Sequence, residues 1–450
     1  MKPARFPLLA AAVLATALMA ASCNSLPRFG GGNAAAAKAE DRVGRLAMVL
    51  DEDRVEPNPG FAGVLINLPA AREVSAWPEA GGTPSKAIGH IQAAPALAID
   101  WRRSAGRGSS NRSALTTPPV SSETLIFTLD STQSVRAMRL DNGATVWTQR
   151  LQGLTRRDRA AVGGGLAVSG DKLVVASGFG FVAALDAASG SEIWRRAMGA
   201  PMIGSPTIDD NRIFVSSNNN EIFALDLATG QTLWSDQAIA ESARVLGSPS
   251  AAAVEDFIIS PFSSGEIIAF LAANGRRLWV DAIQGAGRFT PISEINDIGS
   301  RPILGAGLVF ASNQSGATVA IDGRTGTRVW GRPVGSTKAP ALAGRYLFIV
   351  GTEGELVCLD AETGEAYWVT QLPQFRNEEK KRDRITYTSP IIASDRVIVV
   401  SSRGELLAFS AQTGQQTGSL RLGDTVFIEP IAAQGRLFVL TDKANLIAIR

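Results

Sequence analysis

The residue types that carry most metal and acyl-transfer chemistry are scarce in this sequence. Its 450 residues include two cysteines, Cys23 and Cys358, and one histidine, His90. Zinc and copper sites draw on clustered Cys and His ligands, and hydrolytic triads use a histidine base. We therefore expect no metal site and no histidine-dependent catalysis. We expect Cys358 to be a small buried apolar residue.

Most of the carboxylates that can be placed belong to one repeated unit. The stretch IFALDLATGQTLW (222–234) is one of seven copies whose starts lie 38 to 51 residues apart. Glycine supplies positive φ in a tight turn, and Asp or Thr side chains bond the turn backbone. We therefore interpret the repeated acids as turn residues: Asp186, Asp226, Asp322 and Asp360. The turn glycine is present in all seven copies: Gly143, Gly190, Gly230, Gly275, Gly326, Gly364 and Gly414.

The repeat predicts the fold. A strand–turn–strand pattern precedes each copy, so one repeat yields four antiparallel strands, the blade of a β-propeller. The segment 425–450 stops after its third strand, and a lone strand at 96–104 can complete it. We predict an all-β, eight-bladed propeller with four-stranded antiparallel blades over 93–450, closed by this N-terminal strand.

Tryptophan ends six of the copies, and Gly418 takes its place in the seventh. A large flat indole beside a small third-strand residue suits packing between neighbouring blades. We assign this structural role, rather than a cofactor role, to seven residues: Trp101, Trp147, Trp194, Trp234, Trp279, Trp330 and Trp368.

The N-terminus carries an export signal. Lys2 and Arg5 precede an apolar run and small residues, which predicts a signal peptide over 1–22. The sequence LMAASC resembles a bacterial lipobox, so we expect Cys23 to be acylated and to anchor the chain to a membrane. The alternative is an ordinary signal peptide that leaves a soluble periplasmic protein.

Residues 23–92 are predicted to be a lipid-anchored tether and a leader segment. Residues 24–40 are rich in Gly and Ala, which is typical of a flexible linker. We expect deletion of 24–70 to leave the melting temperature nearly unchanged. We expect Trp77 to pack the following turn-rich segment along the propeller rim.

The charge balance argues against nucleic acid as a partner. Loss of Lys2 and Arg5 with the signal peptide leaves 42 basic residues against 42 acidic ones. Nucleic-acid binding proteins show a basic excess because they neutralise phosphates. The charged run RNEEKKRDR (376–384) is mixed in sign and is interpreted as a solvated loop, with a contact role left open.

The unit ALDxxTGxxxW resembles the repeat of the quinoprotein-type eight-bladed propellers. This family has two relevant branches: dehydrogenases that use PQQ and Ca²⁺, and the BamB lipoproteins of outer-membrane β-barrel assembly. The dehydrogenases carry a vicinal cysteine pair and long insertions, whereas this chain has no adjacent cysteines and nearly minimal repeats. The lipobox, short tether and lone propeller favour the BamB branch.

The resemblance implies a non-enzymatic scaffold without a cofactor, at the periplasmic face of the outer membrane. Its implied partners are BamA and the rest of the β-barrel assembly (BAM) complex, with unfolded outer-membrane proteins as further clients. The alternatives are a PQQ- and Ca²⁺-dependent periplasmic oxidoreductase and a glycan-binding propeller.

The family places partner contacts in the interblade loops of two adjacent repeats, here 241–249 and 295–302. We assign BamA binding to Arg244 and Leu246 in the first loop and to Asp297 in the second. A second acidic position of the family corresponds to Gly299 here. The alternative is that Asp297 caps its own turn and Arg244 is solvated, in which case the loop at 374–386 is the next candidate.

Overall fold

The computed structural model describes residues 54–111, 113–155, 161–239, 249–283 and 297–450. Within these ranges the chain forms 34 β-strands, and Pro59–Phe61 forms a 3₁₀ turn. The strands make eight four-stranded antiparallel sheets and one two-stranded hairpin. The eight-bladed propeller predicted from the repeat is therefore confirmed.

The blades are numbered in chain order, and the first strand, β1 (Ile99–Ser104), belongs to the last of them. Blade 1 consists of β2 (Val120–Ser121), β3 (Leu125–Leu129), β4 (Ser134–Arg139) and β5 (Thr145–Arg150), and blade 2 of β6 (Gly164–Ser169), β7 (Lys172–Ser177), β8 (Phe181–Asp186) and β9 (Glu192–Ala197). Blade 3 consists of β10 (Thr207–Asp209), β11 (Arg212–Ser216), β12 (Glu221–Asp226) and β13 (Thr232–Gln237), and blade 4 of β14 (Ala252–Val254), β15 (Phe257–Pro261), β16 (Glu266–Leu271) and β17 (Arg277–Ala282).

Blades 5 to 8 follow the same plan, with one hairpin inserted after blade 6. Blade 5 consists of β18 (Ile303–Gly305), β19 (Leu308–Ser312), β20 (Thr318–Asp322) and β21 (Arg328–Arg332), and blade 6 of β22 (Ala341–Ala343), β23 (Tyr346–Val350), β24 (Glu355–Asp360) and β25 (Ala366–Gln371). The inserted hairpin consists of β26 (Phe375–Asn377) and β27 (Arg382–Arg384). Blade 7 consists of β28 (Ile391–Ala393), β29 (Arg396–Ser401), β30 (Glu405–Ser410) and β31 (Gln416–Arg421), and blade 8 of β32 (Ile431–Ala433), β33 (Arg436–Leu440) and β34 (Asn445–Ile449) together with β1.

The ring is closed by pairing of the two ends of the propeller. Strand β1 runs antiparallel to β34 and completes the sheet β1-β34-β33-β32. The Ala98 amide donates to the Arg450 carbonyl at 3.0 Å, and the Arg450 amide donates back at 2.9 Å. Closure of this kind removes the free sheet edges that a terminal blade would expose.

Four of the seven repeated turns are held by an aspartate: Asp186, Asp226, Asp322 and Asp360. In blade 3 the Asp226 carboxylate accepts hydrogen bonds from the amide and the hydroxyl of Thr229, at 2.8 and 2.7 Å. The Gly230 amide donates to the Asp226 carbonyl at 2.8 Å, with a glycine φ of 68°. The acid, the threonine and the glycine therefore serve the turn.

A row of three side chains crosses most blades. Phe214 pairs with Ala224, and Ala224 pairs with Trp234 on the third and fourth strands. The small alanine leaves the outer two rings in contact, with centroids 5.9 Å apart. Cys358 takes the alanine position in blade 6, between Phe348 and Trp368.

The propeller has two faces. The Thr-Gly face carries the turns between strands one and two and between strands three and four of each blade. In blade 2 a hydrogen bond joins these two turns, from the Ala187 amide to the Asp171 carbonyl at 2.8 Å. The interblade-loop face carries the turns between strands two and three and the connections to the next blade. There the Met198 amide donates to Gly180 at 2.8 Å.

Residues 57–68 pack against blade 6. The Asn58 amide donates to the Ala366 carbonyl at 2.8 Å, and the Phe61 ring stacks on Tyr367 with centroids 4.3 Å apart. Ile66 is 2 % exposed within the core of blade 6. The expectation that 24–70 is a dispensable tether is therefore wrong for its last part, because this part buries apolar surface.

Residues 72–94 cross the axial channel. The first strands of neighbouring blades contact one another and so surround the axis. Trp77 and Ser121 exchange two backbone hydrogen bonds, and the Ile91 amide donates to the Ile392 carbonyl at 3.0 Å. The expectation that Trp77 packs at the rim is wrong: it is 4 % exposed and lies against the innermost strand of blade 1.

Candidate partner-binding face

The seven repeated tryptophans lie between neighbouring blades and join them at the turns of the Thr-Gly face, opposite the interblade-loop face. Each indole N–H donates to a turn carbonyl of the next blade at 2.9 to 3.1 Å. The same rings cover the turn glycine of that blade so closely that a Cβ on the glycine would lie 2.5 to 2.6 Å from the indole. The pairs are Trp101–Gly143, Trp147–Gly190, Trp194–Gly230, Trp234–Gly275, Trp279–Gly326, Trp330–Gly364 and Trp368–Gly414.

A groove of about 400 Å³ opens on the interblade-loop face, among blades 2 to 5. Its lining includes Ala161, Pro249 and Asp297, each of which is the first described residue after a gap in the described ranges. The turns of blades 3 and 4 supply Asn220 and Ser263 to its lining. Concave surfaces with a few polar groups among apolar ones are typical binding sites.

Asn220 and Ser263 link two neighbouring blades at this groove, and the sequence analysis missed both. The Ser263 hydroxyl donates to the Asn220 side-chain oxygen at 2.8 Å, and the Asn220 amide group donates to the Ile239 carbonyl at 2.6 Å. The signal available in the sequence was the polar run SNNNE (217–221), which forms the turn between the second and third strands of blade 3.

The structure places one of the three predicted partner-binding residues at the groove. Asp297 contributes to the lining but is 4 % exposed, so it presents little of its carboxylate to solvent. Its backbone carbonyl accepts from the Gln314 amide at 3.4 Å. Arg244 and Leu246 lie outside the described residues, as does Cys23.

The charged run at 376–384 forms a hairpin, β26–β27, on the same face, and not the loop that the sequence suggested. The Arg384 guanidinium lies over the Phe375 ring at 5.9 Å and faces Glu353 at 3.6 Å. Tyr387 fixes the base of the hairpin by donating to the Pro373 carbonyl at 2.8 Å. Burial, with a contribution from Glu405, raises the pKa of Tyr387 to about 12, so it remains a donor.

The surroundings of Cys358 and His90 are those of residues with a structural role. Burial raises the pKa of the Cys358 thiol well above its ordinary value, and Asp360 adds to the shift. His90 donates from Nδ1 to the Pro69 carbonyl at 2.7 Å and accepts at Nε2 from the Asp395 amide at 2.9 Å. Across the described ranges, no three His, Cys, Asp or Glu side chains are grouped to hold a metal ion.

Comparison with known proteins identifies the family of the chain. The family model described as "Outer membrane protein assembly factor BamB" matches residues 131–370 and 374–450. The chain belongs to the BamB family. The match begins within blade 1, after β3, and continues to the end of β34. The gap at 371–373 precedes the β26–β27 hairpin, which lies within the second matched segment.

Individual relatives within the BamB family are distant in sequence. The assembly factor BamB of Escherichia coli is 26% identical over 353 residues, which is 78% of this chain and 88% of the relative. That of Salmonella typhimurium is 30% identical over 253 residues, which is 56% of this chain and 64% of the relative.

Solved structures show the same fold. BamB from Moraxella catarrhalis superposes with a TM-score of 0.64 at 19% identity, covering 76% of this chain and 98% of that one. A quinohemoprotein alcohol dehydrogenase from Comamonas testosteroni gives 0.62 at 14% identity, covering 88% and 82%. At these identities the similarity concerns the propeller alone. Among the described residues there is also no helix with the length and apolar character to cross a membrane.

Proposed function

We propose that this protein is a non-enzymatic scaffold of the BAM complex, which binds BamA and assists the insertion of outer-membrane proteins. Membership of the BamB family is the observation that carries the proposal. The interlocked ring gives a rigid, wide face, and its loops can pair with an edge or loop of a partner through backbone hydrogen bonds. Unfolded outer-membrane proteins are the further clients expected at this face.

The BamA contact is proposed on the interblade-loop face, at the groove. Arg244 supplies a cation and Leu246 an apolar anchor, a pairing that is common among residues that dominate interface energies. Asp297 is buried beside the groove, and the role proposed for its side chain is to support the end of its loop.

Co-purification of BamA with purified variants tests this patch. Arg244→Glu and Leu246→Ala are expected to reduce the recovery of BamA, and Asp297→Ala to reduce it through the loop that it supports. Arg324→Glu is the matched control, because Arg324 is exposed in a turn on the opposite face. Equal recovery with Arg244→Glu and Arg324→Glu would move the contact away from the groove, and the β26–β27 hairpin would be tested next.

The proposed site of action is the periplasmic face of the outer membrane, reached through acylation of Cys23. A fatty-acid analogue should label the parent protein and the Cys358→Ala variant, whose change places the residue found in other repeats at a buried position. Cys23→Ser should lose the label and appear in the soluble periplasmic fraction. Label on Cys23→Ser would contradict the anchor.

A PQQ-dependent oxidoreductase is the competing function, and a direct binding test separates the two. The protein is mixed with PQQ and Ca²⁺, and the quinone absorption and melting temperature are followed. We expect neither to change. A saturable spectral shift would contradict the assignment of this chain to the non-enzymatic branch.

A further inference from the structure

A set of buried charges lies where the leader crosses the axial channel. The Lys86 ammonium meets the Glu79 carboxylate at 2.9 Å, and the two side chains are 0% and 3% exposed. Leader carbonyls at Pro84 and Ser85 accept from the amides of Ala253 and Leu304 at 2.8 and 2.9 Å. This segment is therefore fixed against blades 4 and 5, and the ion pair has no freedom to turn towards solvent.

Two further charges, Arg301 and Glu429, act on this pair from the blades, and Lys338 lies near Glu429. Arg301 donates to Glu429 at 2.7 Å, from the residues that precede the first strands of blades 5 and 8. Lys338 precedes the first strand of blade 6; burial lowers its pKa, and Glu429 opposes that shift. Burial likewise lowers the pKa of Lys86, with Glu79 as the largest opposing influence.

These residues form the axial cluster, which we define as Glu79, Lys86, Arg301, Lys338 and Glu429. It contains three basic groups and two acidic ones, so one positive charge is not balanced within it. The next acid, Asp209, lies on the β10–β11 hairpin opposite Arg212. Buried charges without a counter-charge are costly, since the interior screens and solvates them poorly.

A small cavity adjoins the cluster, and two of the residues that line it carry an unused hydrogen-bond donor. Its volume is about 30 Å³, and its lining includes Trp77, Lys86, Arg301 and the acid Glu429, which is paired with Arg301. Trp77 Nε1 and Arg301 Nε are buried and have no hydrogen-bond partner among the described residues. Both atoms can only donate. The cavity therefore offers two unused donors beside the ion pairs Lys86–Glu79 and Arg301–Glu429, and it fits an acceptor.

The leader backbone is shaped to leave these donors uncovered. Gly81 and Gly82 have φ of 82° and 80°, a region that favours glycine. A Cβ on Gly81 would lie 2.7 Å from Arg301 Nε, and one on Gly82 would lie 3.1 Å from Trp77 Cε2. Side chains at these two positions would obstruct both donors.

We propose that this cavity binds one small monovalent inorganic anion of the chloride class, between Trp77 Nε1, Arg301 Nε and the Lys86 ammonium. One water needs roughly 10–15 Å³ of such a volume, so the space suits one or two waters or a single halide and excludes a larger oxyanion. The anion neutralises the surplus charge of the axial cluster and joins the leader to blade 5 through Arg301.

Halide binding to the full mature protein tests the proposal. The ³⁵Cl linewidth in solution and its reversal by bromide report the site in the parent protein. Trp77→Phe keeps the ring but removes the donor, and it should weaken binding by about 10-fold or more, the usual effect of losing a hydrogen bond to a charged group. Trp194→Phe is the matched control, because the Trp194 N–H is already bonded to the Leu227 carbonyl at 3.1 Å.

Crystals grown in sodium bromide provide a measurement that does not depend on a variant folding. An anomalous peak between Trp77 and Arg301, together with selective loss of halide broadening in Trp77→Phe, is the expected result. Equal broadening in the parent and both variants would overturn the proposal. So would ordered water in the cavity with no anomalous signal.

Discussion

Replacement of Trp330 by alanine should produce one of the largest losses of stability that a single residue of this propeller can give. Trp330 is 8 % exposed, and its N–H donates to the Ala361 carbonyl of the next blade at 2.9 Å. A buried aromatic side chain covers roughly 150–250 Å², worth about 4–6 kcal/mol at 25 cal/mol per Å². Measured truncations of this kind cost about 3–5 kcal/mol, and we expect Trp330→Ala to lie in that range.

A second variant separates the hydrogen bond from the packing. Trp330→Phe retains most of the ring over Gly364 but leaves the Ala361 carbonyl without its donor, at a cost of about 1–3 kcal/mol. Val329→Ala is the control, since the neighbouring side chain is 49% exposed and a surface change costs within about 0.5 kcal/mol.

Urea denaturation followed by circular dichroism measures these differences, provided that the slopes of the transitions agree. The expected order of stability is parent and Val329→Ala highest, then Trp330→Phe, then Trp330→Ala. If Trp330→Ala unfolds within about 1 kcal/mol of Val329→Ala, the indole does not hold blades 5 and 6 together, and the reasoning fails.

Three other predictions follow from the same contacts. Deletion of 24–104 should abolish cooperative thermal unfolding, because it removes the strand that closes the ring, whereas deletion of 24–53 should leave the melting temperature unchanged; equal effects would contradict closure. Ile66→Ala should cost about 2–5 kcal/mol in urea, and Leu65→Ala, whose side chain is 78% exposed, should cost little; similar losses would contradict the packing of the leader on blade 6. Hydrogen bonds from the following threonine lower the pKa of Asp226 below 3.8, so its contribution is present above that pH and is lost as the pH falls through the folded-state pKa. Acid titrations of the parent and Asp226→Asn should therefore converge towards low pH, and a stability difference that persists there would contradict this assignment.

The blades could be predicted from the sequence because each repeat carries its own local instructions. The turn formed by Asp226, Thr229 and Gly230 depends on residues within one copy, and the alternation of the flanking strands gives their register. The phenylalanine of the three-residue row was overlooked. Phe214 stands in a different strand from Trp234, and only pairing through Ala224 shows that the two rings meet.

The leader could not be predicted in the same way because its contacts do not repeat. Trp77 bonds to blade 1 and Ile91 to blade 7, and the intervening Ser85 bonds to blade 5. A segment that crosses an axis presents a different neighbour at each residue, so it shows neither the period of a strand nor that of a helix. The axial position also explains why the buried charges of Glu79 and Lys86 gave no signal in the sequence.

The exception in the seventh repeat is explained by the position of the chain ends. Every repeated indole rests on the turn glycine of the next blade, so a blade must have such a turn to receive one. Blade 8 has none, since its third strand ends at Ile449 and its fourth begins at Ile99. Blade 7 accordingly carries Gly418 at the tryptophan position, and a Cβ there would lie 3.0 Å from Leu97 Cδ1. Leu97, which leads into the N-terminal strand, lies beside the position that an indole fills elsewhere, so the absence of this tryptophan accompanies the closure of the ring.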